Sequence, residues 1–365
     1  MSAVAIHRNG SSTQRTCTYV EALREGLDQA MAGDERVYLM GLGVPDPKGI
    51  FGSTLGLQAK YGAQRILDMP TAENAMTGIA IGSALIGMRP VMVHQRVDFA
   101  LLALDQIINN AAKWHYMFGG KQSVPIVIRL IVGRGWGQGP QHSQALQALF
   151  AHIPGLKVVA PATPHDAKGM LIAAIDDDDP VIFFEHRWLH PTYGAVPQER
   201  YTVPLGRAHV VREGRDVTLI SSSYFFVECV RAAEALAAQG VDVELVDLRT
   251  IRPLDSATIL ASVRKTGRAL VVDGGWRSFG VAAEVMATLA ETAFADLRCA
   301  PRRITLPDSY TPTTPALSRY YYPTVTQIAN TARDMMELSA LQPADYGFRT
   351  DLPMDVPDPS FRGPF

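Results

Sequence analysis

Cysteine is scarce in this chain. The three residues Cys17, Cys229 and Cys299 lie far apart in 365 positions and form no Cys-x-x-Cys pair. That argues against a disulfide framework or a thiolate metal site and predicts reduced thiols. Long apolar runs are missing too, and none reaches the ~18 residues of a membrane span. Charge of one sign is not in excess either. With 34 Lys and Arg against 36 Asp and Glu, the net charge is −2, so nothing drives the chain as a whole toward nucleic acid or a membrane surface. The opening stretch "MSAVAIHRNGSSTQRT" lacks the apolar segment of a signal peptide. No fixed-period repeat is present. What remains is a chain with 47% hydrophobic and 19% charged residues. That is ample for a core, in a length that suits two domains. The expectation is a cytoplasmic α/β protein.

The pattern along the chain alternates. Thr18 and Glu21 form a candidate capping box before "YVEALREGLDQAM", whose apolar residues recur at helical spacing. Short apolar strands are predicted at "RVYLMGLG", "PVMVH", "VPIVIRLIV", "LKVVA" and "PVIFFEH". Helices fall between them, one running through "FALLALDQIINNAAKWHYMFG" to a stop at Gly119 and Gly120. Continuously apolar strands separated by helices mean a parallel sheet covered on both faces. The alternation pauses over the proline-bearing residues 189–207. It restarts with "DVTLISSS", "VDVELVDLR", "ALVVDGG" and "RRITLP" and helices between. Domains are therefore expected at 1–205 and 206–340. Residues 341–365, rich in proline and aspartate, read as an extended tail.

Several groups are candidates for chemistry. Asp176 to Asp179 could suggest a cation site, but consecutive residues point in different directions, so a solvated helix end is the preferred reading. His186 and His190 have i,i+4 spacing, yet Pro191 and the preceding strand argue against the helix that a zinc pair requires. The loop "GRGWGQGPQHSQ" matches neither a dinucleotide fingerprint nor a P-loop. It does follow a strand, where α/β sheets bind ligands, and it carries Arg134, Trp136 and His142. In "VVDGGWRSFG", Asp273, Trp276 and Arg277 suit packing or a subunit contact as well as catalysis. Glu73 opens "ENAMTGIAIGSALIGMRP" with no further charge until Arg89. Helix-dipole stabilisation explains a lone first-turn acid. However, Gly78, Gly82 and Gly87 each cost about 1 kcal/mol in a helix, which predicts close backbone packing and a buried carboxylate ready to accept from one ring N–H.

Four stretches carry more than these motifs: "RILDMPTAENAMTGIAIGSALIGMRPV", "DFALLALDQIINNAAKWHYMFGG", "GPQHSQALQALFAHIPGLKVVAPATPHDAKG" and "VDLRTIRPLD" with "VVDGGWRSFG". With them, the chain from about Thr18 to Met336 resembles the β subunit of the thiamin diphosphate-dependent decarboxylase (E1) component of 2-oxo acid dehydrogenase complexes, of pyruvate, branched-chain or acetoin type. The resemblance implies an α/β fold of two doubly wound domains, a pyrimidine-binding domain followed by a transketolase C-terminal-like domain. It implies that Glu73 bonds the aminopyrimidine ring nitrogen of the cofactor, that Thr71 contacts the cofactor and that Phe99 stacks on the pyrimidine. His142 falls at the active-site entrance. Ile126, Ala174, Ile175, Asp177 and Asp179 align with a potassium site formed mostly by backbone oxygens. The Gly-Asp-Gly…Asn motif that binds diphosphate through magnesium is absent from the sequence. An α chain is therefore implied, in an α2β2 heterotetramer, with a 2-oxo acid as substrate and a lipoyl acyltransferase as acceptor. The second reading is a carboligase or acyl transferase of specialised or sugar metabolism without a lipoyl partner, using Arg96, Arg134 or Trp136 to hold its acceptor. The third, a scaffold without catalysis, sits poorly with the presence of Glu73, Phe99 and His142.

Departures from the family pattern cluster at the substrate end. Leu42 and Gly43 stand where acids are usual, and Leu102 where glutamine is common. His94, Gln95 and Arg96 replace uncharged or acidic residues, and residues 133–139 replace an Arg-Gly-Pro-Asn-Gly run.

Overall fold

The computed structural model describes residues 15–134 and 137–342. Trp136 and the tail from residue 343 lie outside the described residues. Two compact units are present. One is built from residues up to 133 together with 149–205, the other from 134–148 and from 206 onward.

In the first unit, parallel strands lie in the order 157–159, 181–186, 127–132, 89–94, 37–40, 66–67. Every residue of 37–40, 127–132 and 181–186 is buried. Continuously apolar strands do this when both faces are covered. The short strand 66–67 has too little pattern to be read from sequence. The capping box forms as expected. Thr18 Oγ1 accepts from the Glu21 amide (3.3 Å), and Glu21 Oε2 accepts from the Thr18 amide (2.8 Å), opening the helix Tyr19–Gly33. That helix packs on Pro164–Asp176. The approach is close, since a Cβ on Gly26 would sit 3.4 Å from the Lys168 carbonyl oxygen. The fully buried Lys168 ammonium is held by Glu25 (2.7 Å) and by the carbonyls of Pro197, Gln198 and Glu199.

Two expectations change. The helix expected through residues 99–119 forms as one helical run but changes type along it, from α-helical Val97–Ala100 through a 3-10 turn at Leu101–Ala103 and a π-helical stretch Gln106–Ala111 to α-helical Ala112–Met117. The wider π turns keep Ile107 and Ala111 buried, and side-chain bonds from Asn109 to Asp105 and from Asn110 to Gln106 run along them. The glycines of the helix Glu73–Leu85 are also not all packed. Gly78 faces Gln106 at 3.2 Å, but no described atom lies within 4 Å of a Cβ on Gly82. Gly87 lies beyond the helix end at φ +100°, where glycine is favoured for conformation rather than for packing.

In the second unit the strands are ordered 302–306, 269–276, 217–221, 243–247, 209–212. The first four are parallel, and 209–212 adds an antiparallel edge to 243–247. Helices Ser223–Ala237, Ser256–Thr266, Val281–Thr292 and Val325–Asp334 belong to this unit. Among the described residues no helix is long and apolar enough to cross a membrane.

Candidate functional site

The carboxyl ends of parallel strands are where α/β sheets place ligands, and Glu73 lies at that edge of the first unit. The strand 66–67 ends, Pro70 prevents immediate helix entry, and Glu73 is the first residue of the helix Glu73–Leu85. Its side chain is 7% exposed. Among the described residues no hydrogen bond reaches its carboxylate. A buried carboxylate strongly favours a donor, so this one is well placed for a donor from a ligand. Thr71, two residues earlier, is exposed. Asn74, the next residue, donates through Nδ2 to the Leu102 carbonyl (3.3 Å). That bond ties the start of the Glu73 helix to the segment three residues past Phe99, which is half-buried on Val97–Ala100. Leu102 itself is 64% exposed.

The departure at Leu42-Gly43 has a physical reason. Gly43 has φ +73°, and a Cβ there would lie 2.9 Å from Asp46 Oδ2 and 3.0 Å from Gln95 Nε2. An acidic side chain would therefore be both strained and crowded. The segment is held through its backbone, with Gly43 N–H donating to Asp68 Oδ1 (2.9 Å) and Gln95 Nε2 to the Leu42 carbonyl (2.8 Å). Asp46 and Asp68 thus bring carboxylates to this turn. Sequence reasoning missed them, although Asp68 stands only five residues before Glu73 in the same quoted stretch.

A second, fully buried polar group lies along the strands 89–94, 127–132 and 181–186. Arg129 and Glu185 form a bidentate ion pair, and Arg129 Nη2 also donates to Ser53 Oγ (2.9 Å). Burial would raise the Glu185 carboxyl, but Arg129 and His190 hold it down at about 2. Burial pushes His94 down to about 4 and His186 to about 3, with His190 and Arg96 adding to the effect on His186. His186 Nδ1 accepts from the Trp188 amide (3.2 Å). His190 stacks on Tyr19 with centroids 6.0 Å apart. A Cβ on Gly133 would come within 2.6 Å of the His186 ring at φ +91°, which is why the loop can only leave this strand through glycine.

The rest of that loop belongs to the second unit. His142 ends the short turn Pro140–His142 and is half-buried. Arg134, 2% exposed, donates to the carbonyls of Gln138 (2.8 Å) and Thr313, and burial lowers its proton affinity. It staples the loop. Asp273 accepts from the amides of Gly275 (2.9 Å) and Ala282 (3.0 Å), holding the start of the helix Val281–Thr292, and burial raises its carboxyl. These two bonds give Asp273 a packing role.

The aspartate run is paired rather than simply solvated. Asp176 bonds Arg200 (2.6 Å), Asp177 bonds Lys157 (2.7 Å), Asp178 bonds Arg89 (2.5 Å) and Asp179 bonds His115 (2.7 Å). The carbonyls of Ile175 and Asp177 also accept from Arg89 Nη1, and that of Ile126 from the Val181 amide. Among the described residues no group of three or more His, Cys, Asp and Glu side chains could hold a metal ion.

Residues 15–192 match the transketolase pyrimidine binding domain, and residues 206–328 match the transketolase C-terminal domain. The chain is 44% identical over 326 residues to the acetoin:2,6-dichlorophenolindophenol oxidoreductase subunit beta of Cupriavidus necator, covering 87% of this chain and 96% of that one. It is 41% identical to the mitochondrial pyruvate dehydrogenase E1 component subunit beta-1 of Oryza sativa, covering 91% and 90%. It is 38% identical to the 2-oxoisovalerate dehydrogenase subunit beta of Bacillus subtilis, covering 88% and 98%. Among solved structures, a split gene transketolase, described as an inactive beta4 tetramer, shares the fold with a TM-score of 0.71 at 22% identity. The match covers 88% of this chain and 98% of that one.

Proposed function

The chain belongs to the transketolase-like family that includes the β subunits of acetoin, pyruvate and 2-oxoisovalerate dehydrogenases, and from that premise we propose that it is itself the β subunit of a thiamin diphosphate-dependent 2-oxo acid dehydrogenase. In this reading it decarboxylates a 2-oxo acid with its partner chain and passes the acyl group to a lipoyl carrier. The carrying observation is Glu73, a buried carboxylate at the head of its helix with no hydrogen bond from the described residues. When bound, thiamin diphosphate supplies a carbon nucleophile and an electron sink for the decarboxylation.

The chain's own residues do the rest. Glu73 would hold the pyrimidine ring of the bound cofactor through a hydrogen bond at the ring nitrogen. Its buried setting makes that bond strong, because little water competes. Phe99 offers a flat apolar face to the pyrimidine, and Thr71 adds a contact at the exposed lip. His142, carried by residues 134–148, serves as the acid–base group toward the acyl acceptor. The diphosphate and its magnesium fall to an α chain, as the absent Gly-Asp-Gly…Asn motif suggests, and an α2β2 heterotetramer in the cytoplasm is the form proposed. A potassium ion on the backbone oxygens of Ile126, Ala174, Ile175, Asp177 and Asp179 would have to share two carbonyls with Arg89. With the Arg89 guanidinium on those carbonyls and Lys157 on the Asp177 and Asp179 carboxylates, two cations already stand where the potassium ion would sit, and they disfavour it.

The alternative of a carboligase without a lipoyl partner is not favoured by the relatives. Arg134, one of its proposed acceptor-binding groups, is engaged by the carbonyls of Gln138 in its own loop and of Thr313.

The test is to co-express the chain with its α partner and follow carbon dioxide release from 2-oxo acids. Glu73→Ala is expected to lower kcat/KM by about 10²-fold or more. Unchanged activity would refute the assignment.

A further inference from the structure

The helix Glu73–Leu85 bears a line of residues that its own chain leaves uncovered. Ala75, Ile79, Gly82 and Ile86, the last capping the helix, are all exposed. Ile79 is 58% and Ile86 83% exposed. Steps of four, three and four residues bring them onto one face, while the buried Thr77, Ile81 and Ala84 occupy the opposite one. No charge interrupts the sequence between Glu73 and Arg89. Gly78 is explained within the chain, since Gln106 Oε1 would lie 3.2 Å from a Cβ there. Gly82 is not, because no described atom comes within 4 Å of such a Cβ. Apolar surface continues at both ends. Asn74 holds the exposed Leu102 beside the helix head through its carbonyl. At the far end Gln122 Nε2 donates to the Leu85 carbonyl (3.4 Å) and Trp114 Nε1 to Gln122 Oε1 (3.1 Å), which brings up the exposed Tyr116 and Met117.

A single exposed isoleucine is ordinary, but an uncharged line about three turns long marks an interaction site. Ile79 and Ile86 stand out as knobs, and Ala75 and Gly82 leave gaps between them. Such relief fits the side chains of a second helix. Glycine is a poor helix former, so one that nothing in the chain crowds is accounted for by a neighbour from outside. What covers the line follows from the site at its head. Ala75 stands two residues past Glu73, the buried carboxylate that no described residue pairs. The pyrimidine it holds is one end of a cofactor for whose diphosphate the sequence has no Gly-Asp-Gly…Asn motif. The chain that grips the diphosphate must therefore reach within one cofactor length of the helix head, and this line, with Leu102, is uncovered apolar surface that starts there.

We propose that Ala75, Ile79, Gly82 and Ile86 form the docking line for a helix of the α chain, with the closest approach at Gly82. The proposal rests on the function given above and names the face through which its partner assembles. An uncharged line gives an acidic or basic partner nothing to pair with. A second copy of this chain would also bring small and large apolar residues to the line, but it would bring no diphosphate ligand to the head of the helix.

Association of the full chain with its α partner, followed by sedimentation, tests this. Gly82→Leu and Ile79→Glu are each expected to weaken assembly by about 10²-fold or more, with Gly82→Ala intermediate. The thermal midpoint of each isolated variant is expected to stay within about 3 °C of the parent chain. Undiminished assembly of both Gly82→Leu and Ile79→Glu overturns the docking line. Hydroxyl-radical footprinting of the unmodified protein gives a reading independent of variant folding. Ile79 and Ile86 are expected to be oxidised at least about fivefold more slowly in the α/β assembly than in the isolated chain, and equal rates overturn the proposal. Full protection in an isolated chain that sediments as a dimer assigns the line to a second copy and overturns the α docking. An assembly that protects the line but releases no carbon dioxide from any 2-oxo acid would leave the docking line standing and remove the proposed function. Carbon dioxide release by an assembly with the line unprotected would do the reverse.

Discussion

Arg129 and Glu185 reach across adjacent parallel strands and meet with both side chains fully buried, Nε to Oε1 at 2.5 Å and Nη2 to Oε2 at 2.9 Å. Arg129 is registered opposite Phe183, so Glu185 lies two residues further along the same face. The pair ties the strands 127–132 and 181–186 together side by side.

Removing one partner leaves the other charged and buried. Glu185→Gln is expected to destabilise the fold by about 3–5 kcal/mol, seen as a lower denaturant midpoint. The double change Arg129→Met with Glu185→Leu is expected to cost less than either single change. A single-variant loss below about 1 kcal/mol would contradict the buried-pair account.

Acid lability follows from the buried imidazoles. The ordinary value is 6.5, and the folded values are about 4 for His94 and His190 and about 3 for His186. The unfolded chain therefore binds protons first, and stability falls as pH drops from 6.5 toward 4 and below. Glu185 acts in a lower window. Its folded value near 2 lies below the ordinary 4.5, so its contribution is complete above 4.5 and is lost as pH falls toward 2. His94→Phe is expected to flatten the dependence of unfolding free energy on pH between 6.5 and 4. An unchanged slope would contradict the neutral buried form.

Gly133→Ala places a methyl 2.6 Å from the His186 ring at φ +91°. Overlap and left-handed strain act together, and a loss of about 2–4 kcal/mol is expected. Thermal unfolding checks this. Gly82→Ala, on the open face of its helix, is expected to be neutral to stabilising by up to about 1 kcal/mol in the isolated chain.

His142→Ala is expected to lower acyl transfer to a lipoyl domain by about 10²-fold. Single-turnover carbon dioxide release is expected to change less. Equal losses in both steps would place His142 in the decarboxylation instead.

Much of the scaffold was legible because burial leaves a local signature. Continuous apolar runs marked the strands of both units, and the Thr18/Glu21 box marked its helix start, since periodicity and capping act over a few residues. Glu73 stood out as a lone acid heading an uncharged helix. Its burial was expected from close packing of the helix glycines, and Glu73 is buried although only Gly78 is packed closely and Gly82 is not. Strands 66–67 and 209–212 were not legible, because pairing with a neighbour defines them more than their own pattern does. Asp46 and Asp68 at the Gly43 turn, the encirclement of Lys168 and the meeting of Arg96 with Arg187 on Phe51 all join residues far apart in the chain. No rule of local spacing encodes such contacts. The sequence by itself determined which segments are buried and which acid heads the uncharged helix Glu73–Leu85, because those follow from side-chain chemistry at short range. Only the tertiary structure decided which charges face each other, because strand order and loop path set those distances.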